Sequence, residues 1–206
     1  MKVHQEIDDS LREFIEAQHV FFVATAPNEA DGHVNVSPKG LAGSFRVLGP
    51  HRFAYLDYGG SGAETIAHLR QNGRITVMFA AFEGPPNIVR LFGTGRVIFA
   101  DDPAFAELRD QFPVVHNRLR VIIDVDVTRV QDSCGYSVPF MTYESDRTRL
   151  TDNWVDRDPD ALEAYWAAKN PVSIDGLPAM KPAAGSDTRT RGARDRVTAT
   201  ARPAAR

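Results

Sequence analysis

The sequence predicts a mainly β protein, in which an antiparallel barrel or strongly curled sheet carries a few peripheral helices. Six or so segments have the apolar composition or alternation of strands, and only a few have helical periodicity. The connections between the strands are mostly short and turn-like. The regular alternation of strand and helix that builds a parallel sheet is missing, which argues against a doubly wound α/β fold.

The N-terminal segment predicts one helix and then two strands. Apolar residues recur at helical spacing over residues 7–15, and Asp8 lies near the start, where it can cap the helix. The run VFFVAT (20–25) has the composition of a short strand. HVNVSPKG (33–40) alternates, and we expect its strand to stop at Pro38, because proline cannot donate a hydrogen bond inside a sheet.

A glycine-rich turn and a helix of about three turns follow the next strands. Ile66 and Leu69 supply the buried side of this helix, and Asn72-Gly73 provides a stop signal. Later in the chain, Gly93 and Gly95 predict a bulge or a close backbone approach within a strand. The other predicted elements are a hairpin of SFRVL (44–48) and RFAYLD (52–57), strands RITVMFAAF (74–82), IVRLFGTGRVIFA (88–100) and RLRVIIDVDVTRV (118–130), and helices in DPAFAELRDQF (102–112) and DPDALEAYWAAKN (158–170).

Length and composition predict one soluble domain with appendages. The 206 residues are 43% hydrophobic, which is enough for a core, and no apolar run reaches the length of a membrane span. The acidic, interrupted N-terminus does not resemble a secretory signal. A single cysteine, Cys134, excludes an internal disulfide and favours the reducing cytoplasm. The six histidines are scattered without metal-ligand spacing, so we expect no metal site.

Charge separates an acidic body from a basic tail. Residues 179–206 contain seven Lys/Arg and two Asp, a net charge of +5, so the remaining chain carries −8 of the total −3. The tail has no aromatic residue and few large apolar ones, and it cannot bury enough surface to fold alone. We therefore expect a folded domain over residues 1–178 and a disordered tail. The acidic body lacks a basic groove with interleaved aromatic residues, which argues against nucleic-acid binding.

The stretch DYGGSG (57–62) before the predicted helix is a candidate anion site. Its glycines let the backbone approach a ligand closely, and a helix start offers free N–H groups and a positive dipole end. Ser61, Gly62 and Thr65 are placed where they could hold a phosphate. The alternative is that the glycines serve only the geometry of the turn. Neither a dinucleotide fingerprint nor a P-loop is present.

Two cations could complete such a site. Lys39 follows an alternating segment, and Arg90 lies amid apolar residues of a predicted strand. A buried arginine needs a partner, and a bidentate phosphate would satisfy it. The alternatives are that Lys39 is simply solvated and that Arg90 faces outward on its strand.

The order of several short motifs is similar to the FMN-binding split-barrel superfamily of pyridoxamine 5′-phosphate oxidase-like proteins, and more closely to an uncharacterised bacterial subgroup. The resemblance extends over residues 5–178 and leaves out the basic tail. It implies a six-stranded antiparallel split barrel and a homodimer with FMN at the subunit interface. The motifs are VNVSPKG (34–40), RFAYLDYGGSGAETIAHLRQNGRITVMF (52–79), FEGPPNIVRLFGTGRV (82–97), DSCGYSVPF (132–140) and SIDGLP (173–178).

The resemblance also implies roles for particular residues. Ser37 and Lys39 match a strand that runs beside the flavin, and Arg90 matches a strand position that faces the phosphate. The loop of Cys134, Gly135 and Tyr136 would lie near the flavin. The remaining cofactor-binding matches, in the turn that holds the ribityl chain and the phosphate, are Asp57, Tyr58, Ser61, Gly62 and Thr65.

Departures from the family pattern bear on the substrate. The oxidases carry an Arg-Lys pair where Gly62-Ala63 stand here, and an arginine where Val34 stands. Their C-terminal motif with arginine and histidine, which grips the phosphate of the vitamin, is not recognisable in residues 152–178. These differences favour flavin binding over vitamin B6 oxidation.

The sequence therefore predicts a cytoplasmic, dimeric FMN-dependent oxidoreductase that acts on an unidentified small molecule. In such enzymes the cofactor supplies the redox chemistry and the protein positions it. The alternatives are a deazaflavin- or haem-using relative of the same fold and a protein that binds flavin without turnover. Absorption spectra separate the cofactors.

Overall fold

The computed structural model describes residues 1–116, 119–152 and 158–181. Its strands are β1 (Lys2–His4), β2 (Val20–Thr25), β3 (Asn35–Gly40), β4 (Phe45–Gly49), β5 (Arg52–Tyr58), β6 (Arg74–Ala80), β7 (Ile88–Ile98) and β8 (Leu119–Ser133). Its helices are α1 (Asp9–Glu16), α2 (Glu64–Asn72), α3 (Phe105–Arg109), α4 (Arg149–Asp152) and α5 (Pro159–Lys169).

The strands form one curled antiparallel sheet in the order β3-β2-β6-β7-β8-β5-β4, with β1 added to β8. β3 and β4 follow each other in the chain but lie at opposite ends of the strand order, so the barrel is split between them. This confirms the predicted mainly β fold with peripheral helices. The described residues form eight strands, so the implied six-stranded count is wrong. β8 extends beyond the end of β5, and β1 pairs with this exposed part of its edge.

Aromatic side chains fill the concave side of the sheet. Phe21 lies at the centre of the cluster, with ring centroids 4.9 to 5.5 Å from Phe45, Tyr55 and Phe79. α1 and α2 bury apolar faces against the same core. A second, smaller core on the other side of β5 and β8 is covered by the segment that contains α3.

Local signals account for most helix boundaries. Asp8 caps α1 by accepting a hydrogen bond from the Leu11 N–H at 2.9 Å, as predicted. α2 ends at Asn72, and the C-cap Gly73 that follows has a left-handed φ of 73°. The prediction that the strand in HVNVSPKG stops at Pro38 is wrong, because this strand, β3, continues to Gly40. β3 has β2 as its only strand neighbour among the described residues, and proline is tolerated on such an edge strand.

The two glycines of β7 permit close packing, as predicted. The register with β8 shifts between Phe92 and Gly93, and a Cβ on Gly93 would lie 2.1 Å from the carbonyl oxygen of Asp126. A Cβ on Gly95 would lie 2.9 Å from the side chain of Leu69, so this glycine lets α2 approach the sheet.

Among the described residues, no helix has both the length and the apolar composition needed to cross a membrane.

Candidate functional site

The candidate site begins on the inner face of the edge strand β3. Lys39 lies opposite the core residue Phe21 in the register of β3 with β2, and Ser37 lies opposite Val23. Residues two apart on a strand share a face, so Asn35, Ser37 and Lys39 all face the concave side of the sheet. The edge strand therefore presents three polar side chains along one line.

Lys39 and Asp57 connect β3 to β5 across this concave side. The Lys39 Nζ lies 3.1 Å from the Asp57 Oδ2, and the Asp57 side chain is only 1% exposed. Arg120 contacts the other oxygen, with Nε and Nη2 at 3.0 and 2.6 Å from Oδ1. Burial acts to raise the pKa of Asp57, but the two cations and their hydrogen bonds outweigh it and hold the pKa below its usual value. The carboxylate is ionised, and the three side chains carry a net charge of +1.

A bulge directs Arg120 into this cluster. The register of β5 with β8 shifts between Asp57 and Tyr58, so Arg120 is an extra residue between the paired Leu119 and Val121. Its side chain is 4% exposed. Its Nη1 donates to the carbonyl oxygen of Gly62 at 3.1 Å, and so Arg120 ties the buried carboxylate to the glycine-rich turn.

The first half of the glycine-rich turn is covered by the C-terminal part of the chain. A Cβ on Gly59 would lie 2.1 Å from the Nε1 of Trp166 on α5, so this position accepts only glycine. The Asn170 amide donates to the Gly60 carbonyl oxygen at 3.3 Å, and its Oδ1 accepts from Arg120 at 2.8 Å. The C-terminal part of the chain therefore covers Gly59, whereas Gly60 remains exposed.

The second half of the turn is open. Ser61 and Gly62 are exposed, and they lead into the first turn of α2. Ala63 at the N-cap has no side chain that could accept a hydrogen bond, and the structure records no side-chain cap for this helix. The start of α2 thus has backbone N–H groups without a side-chain cap and a positive dipole end, with the Glu64 carboxylate in its first turn. This is the part of the turn that can approach an anion.

Hydroxyl and amide groups join the start of α2 to β3. The buried Thr65 hydroxyl accepts from the Asn35 amide at 3.1 Å, and the Ser37 hydroxyl donates to Asn35 Oδ1 at 3.1 Å. The Thr25 hydroxyl lies 2.9 Å from His68 Nδ1. Burial lowers the pKa of His68, which keeps its imidazole neutral. The network fixes β3 against α2 with uncharged groups.

Arg90 lies on the other face of the sheet. It is opposite Met78 in the register of β7 with β6, and Met78 is opposite Phe22, so all three face away from the concave side. Its Nη1 donates to the Ser133 hydroxyl at 3.0 Å. Within the chain, the structure therefore does not bring Arg90 together with Lys39.

Tyr58 and the loop at Cys134 also lie apart from the Lys39 cluster. Tyr58 packs against the second core, and its hydroxyl accepts from the His116 N–H at 3.4 Å. Cys134 is exposed, and Tyr136 is 82% exposed. Of the predicted residues, the structure gathers Ser37, Lys39, Asp57, Ser61, Gly62 and Thr65 around the start of α2.

The sequence analysis missed Asn35, Arg120 and Asn170. Arg120 stands in the apolar run RLRVIIDV, and the argument that a buried arginine needs a partner applies to it more strongly than to Arg90. No sequence signal indicated Asn170, because its contacts arise from the return of the C-terminal segment to the glycine-rich turn. That segment continues through Ala179, which is buried, to Lys181, which lies 2.6 Å from Asp101. The domain boundary at Pro178 stays a prediction, and residues 182–206 lie outside the described residues.

Residues 170–181, here called the C-terminal strap, are fastened near the site by a titratable pair. The His33 Nδ1 lies 2.6 Å from the Asp175 Oδ1, and the Asp175 Oδ2 accepts from the His33 N–H. The hydrogen bond and the charge of Asp175, with a smaller effect of Asp31, raise the pKa of His33. The same hydrogen bonds lower the pKa of Asp175, and the charge of His33 adds to this effect.

The His33–Asp175 pair predicts that the stability of the strap depends on pH. Stabilisation by His33 is complete below the pKa of its unfolded state and is lost as pH rises through the raised folded pKa, whereas stabilisation by Asp175 is lost as pH falls through its lowered folded pKa. We expect amide hydrogen exchange in residues 171–178, corrected for intrinsic rates, to accelerate on the alkaline side of the His33 titration. His33→Gln should remove this step, and His51→Gln, at another exposed position, should keep it. An unchanged step in His33→Gln would show that another group controls the strap.

Comparisons with known proteins identify a matching family model and a similar fungal protein. Residues 7–134 match the family model described as pyridoxamine 5′-phosphate oxidase. The chain is 40% identical, over 197 residues, to the pyridoxamine 5′-phosphate oxidase family protein ustO of the fungus Aspergillus flavus, covering 87% of this chain and 78% of that protein.

Solved structures with a related shape are more distant in sequence. The HupZ protein of Group A Streptococcus is 20% identical, with 66% of this chain and 99% of that chain covered and a TM-score of 0.48. An FMN-binding protein from Syntrophomonas wolfei subsp. wolfei is 14% identical, with 59% of this chain and 82% of that chain covered and a TM-score of 0.43.

Proposed function

Because the chain belongs to the pyridoxamine 5′-phosphate oxidase family, we propose that it is an FMN-dependent oxidoreductase that acts on a small organic molecule as a homodimer. Flavin would supply electron or hydride transfer, and the protein would bind and orient it. The observation that carries the proposal is the net positive cluster of Lys39, Arg120 and Asp57 beside an uncapped helix start.

The residues around the start of α2 fit the phosphate of a mononucleotide. Backbone N–H groups and the Ser61 hydroxyl would donate to the phosphate oxygens, and the helix dipole would favour the charge. Lys39 stands further along the inner face of β3, and its side chain is 25% exposed. A ligand anchored at α2 would therefore meet this cation along β3. Arg120 is almost fully buried, and it would act by holding the turn rather than by touching the ligand.

The outer face of the sheet fits a dimer interface. Val36 on β3 is 62% exposed, and Met78 on β6 and Phe92 on β7 are partly exposed on the same face. Exposed apolar surfaces of this kind are typical of protein–protein contacts. Pairing two copies through this face would bury it and bring Arg90 into the interface.

This arrangement gives Arg90 a place in the proposed site. Its side chain points away from Lys39 in its own subunit, so it cannot complete that subunit's site from where it stands. In a dimer with FMN at the subunit boundary, the partner subunit's Arg90 could donate to the anion bound at α2. A site built from two subunits also agrees with the family resemblance.

Identifying the bound molecule tests the proposal. We expect protein purified without added cofactor, or reconstituted with FMN, to show a flavin absorption spectrum and to release a compound with the mass of FMN on denaturation. Reduction of the bound flavin by a nicotinamide donor, followed by reoxidation, would support oxidoreductase activity. A haem or deazaflavin spectrum, or failure to retain FMN under any condition, would contradict the proposed cofactor.

A further inference from the structure

A cavity of about 640 Å3 lies outside the site described above. It opens between the end of α1, the start of β2, the connection from β6 to β7, and the segment 141–143. Its volume is in the range of small-molecule binding sites. The described residues that line it are Ala17, Gln18, His19, Val20, Phe22, Phe82, Glu83, Gly84, Met141, Thr142 and Tyr143.

Aromatic rings dominate the walls of this cavity. His19 and Tyr143 are stacked, with ring centroids 3.6 Å apart and planes 8° from parallel. Phe22 and Phe82 add two further rings, and Met141 adds a polarisable thioether. Such groups form favourable contacts with the faces and edges of a planar aromatic ligand.

The charges around the cavity select against anions. Among its described lining residues there is no lysine or arginine, and Glu83 is the one carboxylate. The Glu83 Oε1 accepts a hydrogen bond from the Tyr143 N–H at 3.3 Å, which holds this negative charge beside the stacked rings. A phosphorylated ligand would lose its hydration without gaining a cation. The cluster beside the start of α2 instead has a net positive charge, from Lys39 and Arg120 with Asp57.

The cavity and the proposed phosphate site lie at opposite ends of β2. Val20 lines the cavity and is opposite Gly40, the neighbour of Lys39, whereas Thr25 lies beside the start of α2. Five residues of strand separate Val20 from Thr25, a distance of about 17 Å. A mononucleotide anchored at α2 and extended along the inner face of β3 would reach the same end of β2 as the cavity, which lies on the outer face with Val20 and Phe22.

We propose that this cavity binds an uncharged aromatic small molecule. The inference that this molecule is the substrate rests on the proposed function, whereas the inference that the cavity binds it does not. The proposal names a substrate class that differs from phosphorylated vitamins, because the described residues that line the cavity include a carboxylate and no lysine or arginine.

A matched pair of probes tests the charge selectivity. We expect the purified protein to bind α-naphthol at least about tenfold more tightly than α-naphthyl phosphate, measured by the fluorescence of the probes in a titration. Equal affinity for the two probes, or no binding of α-naphthol, would overturn the proposal.

A cavity-filling variant tests the location. Ala17 lines the cavity and is exposed, so Ala17→Trp should fill part of it without removing a packed side chain and should weaken α-naphthol binding at least about tenfold. Ala30→Trp, at an exposed position outside the cavity, should leave the affinity unchanged. Unchanged binding in Ala17→Trp with a normal thermal unfolding profile would contradict the assignment.

Competition separates this proposal from the proposed function. If FMN and α-naphthol bind at the same time, the cavity is a site distinct from that of the cofactor, as proposed. Displacement of α-naphthol by FMN would overturn the inference and leave flavin binding intact. If the protein binds α-naphthol but does not bind FMN, the result would instead count against the proposed function.

Discussion

Replacing Arg120 with methionine is expected to lower the free energy of unfolding by about 3–5 kcal/mol, measured by urea denaturation. The Asp57 carboxylate is 1% exposed, and Arg120 supplies two of the hydrogen bonds to it. Without Arg120, Asp57 keeps Lys39 alone, and the carbonyl oxygen of Gly62 loses its donor. A buried charge that has lost its main partner is costly, because water cannot replace that partner.

Two variants control this experiment. Arg109→Met makes the same chemical change at an exposed ion pair with Asp110, and it should alter stability by no more than about 1 kcal/mol. The double variant Arg120→Met/Asp57→Leu removes both charges and should recover part of the loss. A loss below about 1 kcal/mol for Arg120→Met would contradict the role assigned to this cluster.

Replacing Arg90 with alanine is expected to weaken FMN binding by about 10- to 150-fold, because a hydrogen bond between charged groups contributes about 1.5–3 kcal/mol. The measurement is a titration with FMN that follows the quenching of flavin fluorescence. Sedimentation of the same samples separates loss of the ligand contact from loss of the dimer.

Arg96→Ala is the matched control. Arg96 lies near the other end of β7 and bonds to Asp124, which keeps Arg52 as a partner. This variant should bind FMN as the unaltered protein does. If Arg90→Ala also binds FMN normally and remains dimeric, Arg90 does not contact the phosphate.

The fold could be predicted from the sequence because its signals are local. Alternation, turn residues and caps are read over a few neighbouring residues, and they located the hairpin across residues 49–51 and both ends of α2. The end of β3 was mispredicted because the effect of Pro38 depends on whether the strand is central or at an edge. That position in the sheet is set by the whole topology.

The candidate site could be predicted only in part, for the same reason. The glycine-rich turn is contiguous in sequence, and the turn and the helix that follows it were recognised. Arg120 and Asn170 contact the turn from 58 and 110 residues away, so no short-range sequence pattern predicts these contacts. Arg90 and Lys39 both looked suitable as cations, but strand register placed them on opposite faces.

The central claim is that one flavin site is built from two subunits, and mixing two defective variants tests it most directly. Arg90→Ala and Lys39→Met subunits would be combined, unfolded and refolded together, and the tight FMN sites counted by titration. If the partner's Arg90 completes the site, random pairing at equal amounts restores about a quarter of the sites, because half of the dimers are mixed and each has one intact site. No recovery in a mixture shown to contain mixed dimers would contradict the claim.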